Sequence, residues 1–321
     1  MRRPLCPALI ALCAAGMAAR AGEFLPVRDE NPLVRAYYLP LPEDGRSGLG
    51  GDFTATASLS NTLNVESRGA ESLLVDGEST TLRFTWEGAL NPRWHYRVGL
   101  PLIHDSGGSF DALIDGYHRA LGFSRGYRPQ YPRSQIDYRY QGLARINLDA
   151  AQSSFGDLAI ETGYYLLDDT VRTLSLWSGL EAPTGVRRNL TGDGAWDGAL
   201  LVHYVERHGR WHVGAEAGMA EPFGDGLFAG HAHHLSGFTR VAVGRAVGAA
   251  WTLQAQLDAQ TRRVAGSALR LTGPSLQGSL GLARQLSTHW LLQCGFAEDV
   301  AVNTAPDISF FLGIRRQSRA E

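Results

Sequence analysis

The chain contains no lysine: its 30 basic residues are all arginine, set against 32 Asp and Glu, for a formal net charge of −2. We read the missing lysine as compositional bias. A balance so near neutral gives no electrostatic reason to expect a nucleic acid as partner. Cysteine is scarce: of the three, Cys6 and Cys13 fall in the first 21 residues, leaving Cys294 and excluding an internal disulfide framework beyond them. Proline is modest at 14 residues beside 38 glycines, which excludes a collagen-like or disordered composition. Long apolar runs are missing too. After the first 21 residues nothing approaches the ~18 consecutive apolar residues of a membrane helix.

What is present begins with an export signal at 1–21. Arg2 and Arg3 precede an apolar run from Leu5 to Ala19, and Ala19-Arg20-Ala21 fits the small-x-small cleavage rule. Leu12 before Cys13 argues against a lipoprotein. An exported chain without an apolar helix is either soluble or a barrel in the outer membrane of a Gram-negative bacterium.

Alternation with a period of two decides between them. In Trp211-His-Val-Gly-Ala-Glu-Ala-Gly-Met219, apolar residues alternate with small or polar ones, as on a strand with two unlike faces. The pattern recurs about twelve times, with blurred parity at 171–181 and 197–206. Short connections alternate strictly with long ones. The short turns lie at Asn91–Arg93, Asp168–Asp169, His208–Gly209, Val247–Gly248 and Ser287–Thr288. The long connections span 61–78, 104–155, 182–196, 221–235, 261–274 and 299–306. Short periplasmic turns and long external loops are the habit of outer-membrane barrels, whereas a Greek-key sandwich has no reason to alternate them. The fold class predicted is all-β, an antiparallel up-and-down transmembrane β-barrel of about twelve strands. It spans 52–316, preceded by a periplasmic or plug segment at 22–51 and followed by a tail at 317–321.

Trp94, Trp211, Trp251 and Trp290 each follow a short turn and are expected to form a girdle at the periplasmic membrane interface, against outer-membrane lipid. The opposite faces would line the lumen with Arg83, Glu87, His95, Arg97, Glu161, His212, Glu216, Arg240, Asp258 and Arg315, as a salt-bridge network or a selectivity lining. The 109–122 stretch, SFDALIDGYHRALG, reads as a short helix inside the longest loop. Ser109 is its cap, Asp111 lies in its first turn and Gly122 is its stop.

The last strand, PDISFFLGIRRQ (306–317), resembles the closing segment that barrel-assembly machinery reads, although Arg315 to Glu321 follow where such chains usually end on an aromatic residue. More broadly, VRDENPLVRAYYLP, VDGEST, GLPL with FDALIDGYHRALGFSRG, and GLEAPTG with LTGDGAWD occur in the order that resembles an uncharacterised family of exported Gram-negative proteins, a domain of unknown function. The resemblance implies a barrel and no established activity, so it supplies no catalytic residue.

Three functions fit these observations. The first is passive passage of a small polar or amphipathic molecule, gated by the 105–141 loop or the N-terminal segment. The second is a structural, envelope-maintaining barrel with a closed lumen. The third, less favoured, is a lipid esterase using His234 and Ser236, whose spacing on a strand would put both on one face. The His231, His233 and His234 cluster lacks a carboxylate or cysteine at ligand spacing, so no metal and no cofactor is expected. The oligomeric state is not legible.

Overall fold

The computed structural model describes residues 23–42, 51–108, 110–112, 116, 128–301 and 303–318. The expected signal peptide and most of the expected helix at 109–122 lie outside the described residues.

Twelve strands close into one antiparallel barrel: β1 (Asp52–Arg68), β2 (Glu71–Ala89), β3 (Trp94–Ser106), β7 (Leu158–Asp168), β8 (Arg172–Ala182), β9 (Asp197–His208), β10 (Trp211–Pro222), β11 (Ser236–Val247), β12 (Trp251–Gln260), β13 (Ser275–Ser287), β14 (Trp290–Asp299) and β15 (Ile308–Arg316). The seam is a β1–β15 pairing running from Phe53 opposite Arg316 to Asn61 opposite Ile308. Closure leaves no free edge in the barrel wall, which a transmembrane sheet requires. Along each strand successive side chains alternate between the outer wall and the interior. On β12, Trp251, Leu253 and Leu257 are exposed, while Thr252, Gln254 and Gln256 are buried. The two segments of blurred parity resolve as β8 and β9.

All five expected short turns occur at one end of the barrel, beside the first residue of β1 and the last of β15. At the opposite, loop end the structure corrects one expectation. Residues 61–78 are not a loop. The first two strands run on to a turn at Gly69–Ala70 and pair from Asp52 opposite Glu87 to Arg68 opposite Glu71. The long connection after β3 contains three more short strands, β4 (Asp137–Gln141), β5 (Arg145–Leu148) and β6 (Gln152–Phe155). The upper part of β2 carries β4 and β5 as a side hairpin, and β6 lies on β3.

These extensions and the other loops pack into a cap with its own apolar core, including Leu73, Val75, Tyr138, Tyr140, Ile146, Leu190, Leu227, Phe228 and Leu271. Arg128 ties the cap together. It bonds Asp111 at 2.6 Å and reaches Asp307 at 3.2 Å and Asp76 at 3.5 Å, so one guanidinium links the connection after β3 to the extended part of β2 and to the β14–β15 connection.

Candidate functional site

The interior of the barrel is occupied by the chain's own N-terminal segment. Residues 23–42 form no strand, yet nearly all are buried. Their contacts trace a path. Glu23 pairs with Arg207, next to the short turn after β9. Phe24 packs on Val205 and Ala242, and its ring tilts against His203. Leu25 donates its N–H to Gln256 Oε1 at 2.9 Å. Asp29 accepts from Gln260 at 2.6 Å at the loop end of β12. The segment then turns within the cap, where Leu33, Ala36 and Tyr37 join the apolar core. Descending, Tyr38 donates to Glu161 Oε1 at 2.7 Å, Pro40 accepts from Arg240, and Leu41 and Pro42 accept from Arg97 at 3.1 and 3.2 Å. The segment therefore rises through the whole lumen and comes back down.

Two glycines show how the wall admits it. A Cβ on Gly214 would stand 2.6 Å from the Phe24 ring, and one on Gly179 would stand 2.1 Å from the Tyr38 hydroxyl. The glycines that alternate with apolar residues on β8 and β10 are thus the places where the backbone must yield to an aromatic side chain.

The turn in the cap is held by a buried ion pair. Arg35 bonds Asp105 Oδ2 at 2.6 Å, Ser79 Oγ at 2.7 Å and the Leu190 carbonyl at 3.2 Å. Both charged side chains are almost fully excluded from water, at 1% and 0% exposure. Nearby carboxyls feel the same exclusion. Burial raises Asp29 to about 7, with Asp299 and Glu30 adding and the Asn31 N–H opposing. Burial likewise lifts Asp157, just before β7, to about 6.

The sequence-derived interior residues fall into this arrangement as follows. Arg83 reaches Glu30 of the segment at 3.3 Å. Arg97 donates through Nε to Glu161 at 2.6 Å and lies 3.9 Å from Glu87. Arg240 bridges Glu216 at 2.7 Å and Asp258 at 3.1 Å, and Glu216 also pairs with His203 Nδ1 at 3.1 Å. Arg315 binds Asp52 across the seam at 2.9 Å. His95 is buried against the Tyr165 ring, 4.5 Å between centroids. His212 is half-buried, its ring filling the space beside Gly244. Sequence reasoning missed the groups contributed by the segment itself (Asp29, Glu30, Arg35 and Tyr38), Arg35's partner Asp105, and His203, which pairs with Glu216 and meets the Phe24 ring. The one available signal was the density of charge in VRDENPLVR.

Voids left between segment and wall are small. Among the described residues, one bounded by Phe24, Pro42, Thr56, Arg97 and Arg315 among others measures about 50 Å³, and two more measure about 20 and 10 Å³. Trp94, Trp211, Trp251 and Trp290 are exposed on the outer wall. Arg245 stacks over Trp211 at 5.2 Å and Arg284 over Trp251 at 4.8 Å, each from the neighbouring strand.

The His234–Ser236 pair is not assembled. The strand begins only at Ser236, so the two residues do not share a strand face. His234 is exposed, and the buried Ser236 hydroxyl donates to the Arg262 carbonyl at 3.1 Å.

Two solved structures share the architecture. The COG4313 outer membrane channel from Pseudomonas putida F1 is 15% identical and superposes with a TM-score of 0.54, over 88% of this chain and 97% of that one. The NanC porin is 7% identical with a TM-score of 0.50, over 83% of this chain and 100% of that one. No curated protein matches the sequence. The sequence itself matches the family described as protein of unknown function DUF3187 across residues 6–317, and the chain belongs to that family, with the fold of a closed twelve-stranded transmembrane barrel.

Proposed function

We propose that the protein is an outer-membrane channel for small polar or amphipathic molecules and that its N-terminal segment is the gate. One observation carries the reading: the lumen is filled by a segment that takes no part in the sheet. Every barrel strand pairs with its neighbours without it, and side-chain contacts and scattered hydrogen bonds hold it. A barrel of this size encloses more space than its own side chains fill, so withdrawing residues 23–42 would leave a water-filled path lined by Arg83, Glu87, Arg97, Glu161, Glu216, Arg240 and Asp258. The four tryptophans at the turn end would sit at the periplasmic membrane interface, with the cap facing outward.

The test is planar-bilayer conductance of the full chain and of a variant lacking residues 23–42. The full chain is expected to be silent with rare openings, and the deletion to conduct steadily. A folded, inserted deletion variant that stays silent would sink the proposal. The ion-paired interior supports a second reading, a structural barrel closed for good. On that reading the deletion would destabilise the barrel without producing conductance.

A further inference from the structure

A cleft of about 630 Å³ lies on the cap, between the β4–β5 hairpin, the turn at 187–190 and the loop at 227–229. Its apolar part is built from Leu143, Ile146, Leu190 and Leu227, and its charged part from Arg145, Arg187 and Arg188. No carboxylate lines it. Arg187 is committed to structure, donating to the Gly226 carbonyl at 2.6 Å and the Leu227 carbonyl at 3.3 Å, so that it clamps two walls together. Arg145 and Arg188 are exposed and make no ion pair among the described residues. Uncommitted guanidiniums beside an apolar floor match a molecule with one anionic end and one apolar body, because a guanidinium fork binds a carboxylate with two parallel hydrogen bonds. The volume is that of a small-ligand site.

The floor of the cleft is also the roof of the lumen. Leu190 and Leu227 belong to the same apolar core as Leu33, Ala36 and Tyr37 of the N-terminal segment. The Leu190 carbonyl accepts directly from Arg35, and the Phe228 N–H donates to the Tyr37 hydroxyl at 3.3 Å. A ligand in the cleft would rest one side-chain layer above the turn of the segment. Since the apolar floor leads inward to that turn, we infer that the cleft is an external binding site for a small amphipathic monocarboxylate. Its role as the loading site of the channel rests on the function proposed above; the binding itself does not.

The test uses the full chain in lipid nanodiscs and ¹⁹F NMR line broadening of three probes: 4-(trifluoromethyl)phenylacetate, the matching phenylethanol and the matching benzylamine. The carboxylate is expected to bind and the amine not to. The Arg145→Ala/Arg188→Ala double variant should weaken the carboxylate about tenfold, the loss of two solvent-exposed charged contacts, and leave the alcohol unchanged. Equal binding of acid and alcohol, or an unchanged double variant, overturns the inference. So does displacement of the probe on doping the nanodiscs with lipopolysaccharide when excess free acid displaces none, which would give the site to a lipid headgroup. Binding by the carboxylate together with a silent deletion variant would refute the channel and leave the anion site standing.

Discussion

Arg35→Ala should release the upper turn of the N-terminal segment while leaving the barrel closed. Arg35 and Asp105 meet at 2.6 Å with almost no exposure. Removing one partner of such a pair strands the other charge and costs about 3–5 kcal/mol. Here Asp105 keeps hydrogen bonds from Ser79 at 2.5 Å and Gln152 at 2.9 Å, so the lower end applies. A loss of about 3 kcal/mol shifts the docked-to-undocked equilibrium of the turn by about 150-fold. The readout is amide hydrogen exchange in residues 34–37, where the Val34 and Arg35 N–H groups bond back to the Asn31 carbonyl and the Tyr37 N–H to the Val34 carbonyl. Their exchange should quicken by about two orders of magnitude, while β9 to β14 keep their protection. Arg139→Ala is the control, because its pair with Asp137 is exposed and worth below about 1 kcal/mol. Exchange in residues 34–37 within threefold of the parent would refute the reasoning. So would an equal acceleration in the barrel strands, because the pair would then be stabilising the whole molecule rather than the segment.

Three further outcomes follow from the same geometry. Gly214→Val places a side chain where the Phe24 ring stands, at a cost of about 1–3 kcal/mol, so protease accessibility of residues 23–26 should rise at the turn end; unchanged accessibility would mean that the ring has room to move. The docked segment keeps a proton on Asp29 up to about pH 7, which an undocked Asp29 releases near the ordinary 3.8. Docking stability is therefore full at low pH and falls as pH rises through that window, by up to about 1.4 kcal/mol per unit. Exchange protection of the segment, corrected for intrinsic rates, should be greater at pH 5 than at pH 8 and become level in Asp29→Asn; protection that increases with pH would contradict the assignment. Single-tryptophan variants retaining Trp94, Trp211, Trp251 or Trp290 should be quenched equally by brominated lipids of one bromine depth, and four unequal depths would dissolve the girdle.

The barrel was legible because lipid and lumen impose opposite demands on alternate residues, and Trp211 to Met219 record both. Legibility failed where a third surface intervened. On β9, Ala199, Leu201 and Val205 face inward yet are apolar, because they pack on Tyr38, Leu39 and Phe24 of the segment. With apolar side chains on both faces the period vanishes, which is why 197–206 looks blurred and why His203 was overlooked. The extension of β1 and β2 was hidden for a similar reason. Asn61 to Asn64 are all buried, covered by loops on the side that would otherwise meet solvent. The burial of VRDENPLVRAYYLP runs against its composition. Its prolines and charges suit a solvated linker; complementary charges on distant strands, together with apolar contacts for Leu33, Ala36, Tyr37, Tyr38 and Leu39, make the interior hospitable to it.

The β1–β15 seam sets an order on assembly. The segment's binding groups come from strands far apart in the chain: Arg97 on β3, Glu161 on β7, Arg240 on β11, Gln256 on β12 and Gln293 on β14. Those groups surround one axis only after the last strand has joined the first. Until then the segment has half a receptor, and its charged residues stay better solvated outside. Its lodging is thus expected to follow completion of the wall, and a barrel that fails to close should be marked by a dangling, protease-sensitive N-terminus.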